Sequence, residues 1–143
     1  MTLAPTRLAG DVSVGDIIPP LEIPITPTLI VAGAIASRDY QDVHHDRDLA
    51  QRRGSEDIFM NILTSNGLVG RYVTDWAGPE AVLRRVAIRL GAPNYPYDTM
   101  TLTGTITDKR PDGTVRVEVV GRNSRGNHVT GTADVLLPGT VTR

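Results

Sequence analysis

Between Trp76 and Val82 the chain changes the spacing of its apolar residues, and few architectures accommodate such a change. Upstream, Phe59, Ile62, Leu63, Val69, Tyr72, Val73 and Trp76 recur with a period near 3.6, which predicts one long amphipathic helix over 59–76. Ala77-Gly78-Pro79 should terminate it. Downstream the period is two. Val86, Ile88 and Leu90 alternate with Arg85, Ala87 and Arg89, and Met100, Leu102 and Ile106 alternate with threonines. Val115, Val117 and Val119 make a third run, and Val129, Ala133, Val135 and Leu137 a fourth, with turns at Pro111-Asp112-Gly113 and Arg125-Gly126-Asn127. A helix followed by an antiparallel meander points to an α+β fold in which one sheet face wraps the helix, not to a parallel βαβ arrangement. Gly67 and Gly70 lower the helix propensity by roughly 1 kcal/mol each, a loss explained if the sheet approaches the helix closely there.

The segments before the helix are shorter. Residues 1–10 show no period and are expected to form a loose arm, with a single domain over 11–143. In 12–25, Pro19, Pro20 and Pro24 restrict the chain to edge or irregular strand, expected to cover the sheet more than build it. Thr26 followed by Pro27 reads as a helix N-cap with proline in the first turn, opening a short helix that ends near Ser37. The polar stretch after it predicts another short helix, capped by Asp46 or Asp48 and stopped by Gly54.

Charge and composition narrow the function. Fifteen Lys and Arg against sixteen Asp and Glu leave no basic footprint, so nucleic acid is not an expected partner. There is no cysteine, hence no thiol nucleophile, disulfide frame or Cys-based zinc site. The N-terminus lacks a basic head followed by an apolar run, and the longest apolar stretch, 29–36, is too short to span a bilayer. The expectation is a cytoplasmic chain without membrane association.

Chemistry concentrates in RDYQDVHHDRDLA at 38–50. Asp39 and His44 lie across a turn between two short helices, where a carboxylate and an imidazole can flank one water, orient it and take its proton. On residue types alone, cap and turn duty explains such a pair more often than catalysis does. Asp39, Asp42, His44, His45, Asp46 and Asp48 are a dense set of potential metal ligands, but a calcium loop starting at Asp39 would need glycine where His44 stands and a carboxylate where Ala50 stands. No metal is expected.

The same stretch resembles the signature of the MaoC-like hydratases and dehydratases, G-D-x-N-P-(aliphatic)-H-x-D-x-x-x-A, with Asp39, Val43, His44, Asp46 and Ala50 in register. Arg38 replaces the glycine of that pattern, and Gln41-Asp42 replaces Asn-Pro. The register selects His44 over His45 as the catalytic imidazole. MNILTSNGL at 60–68 is similar to the start of the family's central helix, with Asn61 in place of glycine, and PNYPYDTM at 93–100 is similar to the entry into the next strand, with Tyr97 in place of glycine.

The resemblance implies a hot-dog fold, one long central helix wrapped by an antiparallel sheet. It also implies hydration of a 2-enoyl-CoA thioester by Asp39 and His44, with the main-chain N–H of Asn61 on the thioester carbonyl and no cofactor beyond the coenzyme A of the substrate. RDYQDVHHDRD, DIFMNILTSNGLVGRYVTDWAGP and VVGRNSRGNHVT are most similar to small subunits of heteromeric steroid side-chain enoyl-CoA hydratases of bacterial cholesterol degradation. That likeness implies a larger MaoC-like partner, a heterodimer and a heterotetramer of two such pairs. Alternatives within the fold are a homodimeric short-chain enoyl-CoA hydratase, a thioesterase and a non-catalytic acyl-CoA-binding subunit, because fold does not fix function. Trp76 reads as a core plug, Arg84, Arg85 and Arg89 as solvated strand residues, and His128 has no assigned partner.

Overall fold

The computed structural model describes residues 5–139. Five strands and three α-helices occur among them: β1 Ile17–Ile25, α1 Pro27–Ala36, α2 Arg47–Arg52, α3 Ile62–Ala77, β2 Val82–Leu90, β3 Asp98–Lys109, β4 Thr114–Asn123 and β5 Gly126–Leu136. The local signals act as their chemistry requires. Thr26 Oγ1 accepts from Leu29 N at 3.0 Å with Pro27 following, and Asp46 Oδ1 accepts from Leu49 N at 3.0 Å, so α1 and α2 begin at capped ends. The long helix starts at Ile62, three residues later than its apolar period suggests, because Asn61 takes the N-cap and leaves 59–61 extended.

All five strands lie in one antiparallel sheet of order β1-β3-β4-β5-β2. Two expectations need correction. The four runs after α3 do not form a simple meander, since β2 pairs with β5 and only β3-β4-β5 is hairpin-connected. Residues 91–97, GAPNYPY, carry the chain from one edge of the sheet across to β3, and their two prolines bar a tight hairpin. The proline-rich segment also builds the sheet instead of merely covering it. Its register on β3 slips between Ile18 and Leu21, at Pro19-Pro20, yet Ile18, Ile23 and Ile25 are buried. Proline is accommodated because β1 is an edge strand.

The core lies between the concave sheet face and α3. Met100, Leu102, Ile106, Val115, Val117, Val119, Val129, Ala133 and Val135 meet Leu68, Val69, Tyr72, Val73 and Ala77. Each fully buried aliphatic side chain contributes about 1.5–3 kcal/mol, so this layer dominates stability. Burial pushes the Tyr72 phenol up to about 12, and it stays a neutral donor to the Ile18 carbonyl at 3.2 Å. The apolar residues named in β3, β4 and β5 all face inward as their alternation predicts, but β2 has no fully buried residue, and Val82, Leu83 and Leu90 are exposed on an edge. The close approach of sheet to helix is not made at Gly67, which faces open space, and Gly70 meets only Leu83 Cδ2 at ordinary contact distance. It is made at Gly104, where a β-carbon would stand 3.0 Å from both Tyr72 and Val117.

The expected loose arm is held from its described part onward: Arg7 N–H donates to Ala77 O at 2.8 Å and Ala9 N–H to Pro138 O at 2.9 Å. Residues 1–4 of that arm and 140–143 lie outside the described residues. Among the described residues, no helix is long and apolar enough to cross a membrane.

Candidate active site

Helix α1 ends in a way that fixes Asp39. Ser37 closes it, Arg38 takes φ 56°, Arg38 N–H returns to Ile35 O at 3.0 Å, and Asp39 N–H returns to Ala34 O at 2.9 Å. This is the paired-bond helix stop that normally uses a left-handed glycine. It turns the chain so that the Asp39 side chain, 20% exposed, faces the start of α3.

His44 ends a one-turn 3-10 segment, Asp42–His44, and is 6% exposed. Its Nδ1 lies 2.6 Å from the Phe59 carbonyl, and its ring meets the Phe59 ring edge-on at 5.0 Å. A carbonyl only accepts, so Nδ1 carries a hydrogen and Nε2 is the ring atom turned toward Asp39. That nitrogen stands 3.3 Å from Asp39 Oδ2. A carboxylate and an imidazole this close can bind, orient and deprotonate one small hydroxylic molecule between them and the cavity.

Asn61 brings side-chain contacts that the sequence does not show. Its backbone is ordinary, φ −78°, so no glycine-like conformation is required, and no acceptor is assigned to its N–H among the described residues. Its side chain is the N-cap of α3: Oδ1 accepts from Thr64 N at 3.0 Å and from Thr64 Oγ1 at 2.6 Å. The other end of the amide donates to Ser37 Oγ at 2.9 Å and Asp39 Oδ2 at 3.1 Å. Asp39, His44 and Asn61 therefore share one open cavity of about 320 Å³, whose apolar walls include Met60, Ile62, Leu90 and Pro93. The N-terminus of α3 opens onto it, with the positive end of the helix dipole toward the cavity.

Two further residues shape the cavity and were not legible in the sequence. His128 is 2% exposed and lines it, with Nδ1–H donating to Ala92 O at 2.7 Å and Nε2 accepting from Ser65 Oγ at 2.7 Å. Desolvation by burial holds this imidazole below its ordinary value, the Ala92 bond opposing it in part. Strand alternation gave no warning, because His128 and Val129 are adjacent and both buried. Asn94, fully buried, accepts from Asn123 Nδ2 at 2.8 Å and receives Met60 N–H on its carbonyl at 3.1 Å, which fixes the 91–97 crossing against the start of α3.

The other acidic and imidazole groups of 38–50 do not converge. Asp42 pairs with Arg53 at 2.8 Å, Asp46 caps α2, and His45 is exposed. A second cavity of about 240 Å³, between Pro19-Pro20 and Trp76 at the far end of α3, holds a carboxylate, Asp75, but no imidazole.

No protein-family model matches the chain. A solved MaoC-like dehydratase shares its fold, with a TM-score of 0.84 at 24% identity over 92% of this chain and 42% of that one. The crystal structure of the ChsH1–ChsH2 complex from Mycobacterium tuberculosis matches with a TM-score of 0.85 at 54% identity, covering 87% of this chain and 98% of the matched chain. The 3-oxo-4,17-pregnadiene-20-carboxyl-CoA hydratase beta subunit of Mycobacterium tuberculosis is 55% identical over 124 residues, 87% of this chain and 95% of the relative. The chain belongs to the MaoC-like hydratases. Its fold is the hot-dog fold that the motifs imply.

Set against the pattern of the MaoC-like hydratases, the glycine replacements sort into two kinds. Arg38 at φ 56° and Tyr97 at φ 70° are the non-glycine residues with positive φ among the described residues. Both stand where the family signature has glycine, so the backbone shape is kept although the residue is not, at about 1–2 kcal/mol each. Asn61 is the opposite case, an ordinary backbone carrying a side chain with its own contacts.

Proposed function

We propose that this chain is the catalytic small subunit of a heteromeric enoyl-CoA hydratase that adds water to a 2-enoyl thioester carried on a steroid side chain. The observation that carries the reading is the 3.3 Å approach of His44 Nε2 to Asp39 Oδ2 in a cavity at the N-terminus of α3. The named activity of the Mycobacterium tuberculosis beta subunit supports the substrate class, and the match to a chain of the ChsH1–ChsH2 complex supports a larger MaoC-like partner; an assembly of two such pairs is part of the proposal.

In this mechanism one water donates to Asp39 Oδ2 and His44 Nε2. One of these groups takes its proton as the water oxygen attacks the β-carbon; the C=C electron pair moves onto the thioester as an enolate, and the α-carbon then receives the proton. The Asn61 main-chain N–H and the N-terminal end of α3 hold the developing enolate oxygen. Positioned acid–base groups contribute roughly 10²- to 10⁴-fold and an oxyanion donor roughly 10²- to 10³-fold, so the two halves must act together. The coenzyme A portion belongs to the substrate, and no resident cofactor or metal enters any step. We place the enzyme in the cytoplasm, a reducing compartment with which its lack of cysteine is compatible.

The test is an assay of the purified complex on steroid and short linear 2-enoyl-CoA thioesters, followed by enoyl absorbance and by a thiol reagent. Loss of enoyl absorbance without release of thiol is expected. Thiol release from a saturated acyl-CoA would instead make the protein a thioesterase, and full activity of the chain alone on the short substrate would make it a homomeric hydratase.

A further inference from the structure

Every polar atom of the Asn61 amide is engaged, although the residue is only 2% exposed. Thr64 N–H can only donate, so the amide oxygen must face it and the nitrogen must face Ser37 and Asp39. Ser37 directs its own hydrogen to Gly33 O at 2.7 Å and thus has a lone pair for one Asn61 hydrogen. The second Asn61 hydrogen has Asp39 Oδ2 as its acceptor, the same oxygen that faces His44. The remaining donor to this carboxylate is Gln41 N–H, long at 3.4 Å and on the other oxygen.

Helix capping explains only half of this arrangement. A cap needs an oxygen acceptor, which serine, threonine or aspartate provides as well as asparagine. The amide nitrogen has no capping duty, and it is the part that reaches Asp39. We propose that Asn61 acts through its side chain as a positioning residue, fixing the Asp39 carboxylate relative to His44 and to the start of α3. This rests on the hydratase reading above and adds to it a role for the side chain beside that of the main-chain N–H. One residue then sets the distance between the water-binding oxygen and the oxyanion corner, because its cap locks it to α3 while its nitrogen holds Asp39.

The experiment compares Asn61→Asp and Asn61→Ser with wild type and with Asp39→Asn in the assembled hydratase. Both Asn61 variants keep a capping oxygen and lose the donor to Asp39. A displaced acid–base group lowers turnover steeply, so kcat is expected to fall roughly 10- to 100-fold with KM within about threefold in both variants, and with the thermal midpoint nearly unchanged in Asn61→Ser, which adds no charge. His44 is the titratable group in contact with Asp39 among the described residues. Asn61→Asp adds a second carboxylate beside the first, so the acidic limb of its kcat–pH profile is expected at higher pH, and Asn61→Ser should move it less. Wild-type kcat and pH profile in both variants, with Asp39→Asn inactive, would overturn the positioning role and leave the hydratase reading intact. Losses of kcat that track losses of thermal midpoint in both variants would assign Asn61 to capping alone and likewise overturn it. An active Asp39→Asn would instead sink the reading beneath it.

Discussion

His128 shows how a single buried group ties stability to pH. The native ring resists protonation because it is desolvated, whereas in the unfolded chain it titrates near the ordinary 6.5. Above that value both states are neutral and the full stability is present. As pH falls below it the unfolded chain binds a proton that the native ring refuses, and stability declines toward the lowered native value. Urea midpoints are therefore expected to drop between about pH 7.5 and 5.5, and to drop less in His128→Gln; equal drops would show that the ring is not the group responsible. Tyr97 offers a second residue-scale test. It is 87% exposed at φ 70°, so glycine would relieve strain while losing little packing, and Tyr97→Gly should stabilise by about 0.5–1 kcal/mol net of its greater unfolded-state entropy. A lower thermal midpoint would contradict this. At this scale the sequence showed Asp39 and His44 through a motif, but neither the amide contacts of Asn61 nor the Ser65–His128 bond, because both depend on partners distant along the chain.

Elements were legible in proportion to how local their signals are. The caps at Thr26 and Asp46 each lie three residues from the N–H they satisfy, so the sequence singles out Thr26 and narrows the second cap to Asp46 or Asp48, of which Asp46 serves. Thr26→Ala should cost about 1 kcal/mol in equilibrium unfolding, and no loss would mean that Pro27 alone sets the start of α1. Strand order was not legible, because a period of two identifies a strand without naming its neighbour, and β2 found β5 across the whole of β3 and β4. The tight contact between sheet and helix uses a missing side chain at Gly104 of the sheet, not at Gly67 or Gly70 of the helix as the helix propensities suggest. Gly104→Val should accordingly destabilise by about 1–3 kcal/mol through overpacking against Tyr72 and Val117, and a neutral result would show that α3 can shift away.

For the whole molecule, the fold brings the end of α1, a 3-10 turn and the start of α3 to one cavity at the edge of the core. Wrapping α3 in the sheet leaves its N-terminus facing that cavity, which is why one architecture brings the Asp39–His44 pair and a helix N-terminus to the same place. The change of period gave the helix and the strands, and the motif gave the pair; the pairing of β2 and the side-chain lattice around Asn61 needed coordinates. Activation of water by this chain, and not by its proposed partner, is the core of the proposed mechanism. It is tested most directly by hydration kinetics of the assembled complex carrying Asp39→Asn, His44→Ala or both in this subunit, with assembly checked by light scattering. Each single change is expected to lower kcat by at least about 10²-fold, and the double change by little more than the worse single, since both groups hold the same water. Turnover near wild type in the double variant would place the chemistry elsewhere.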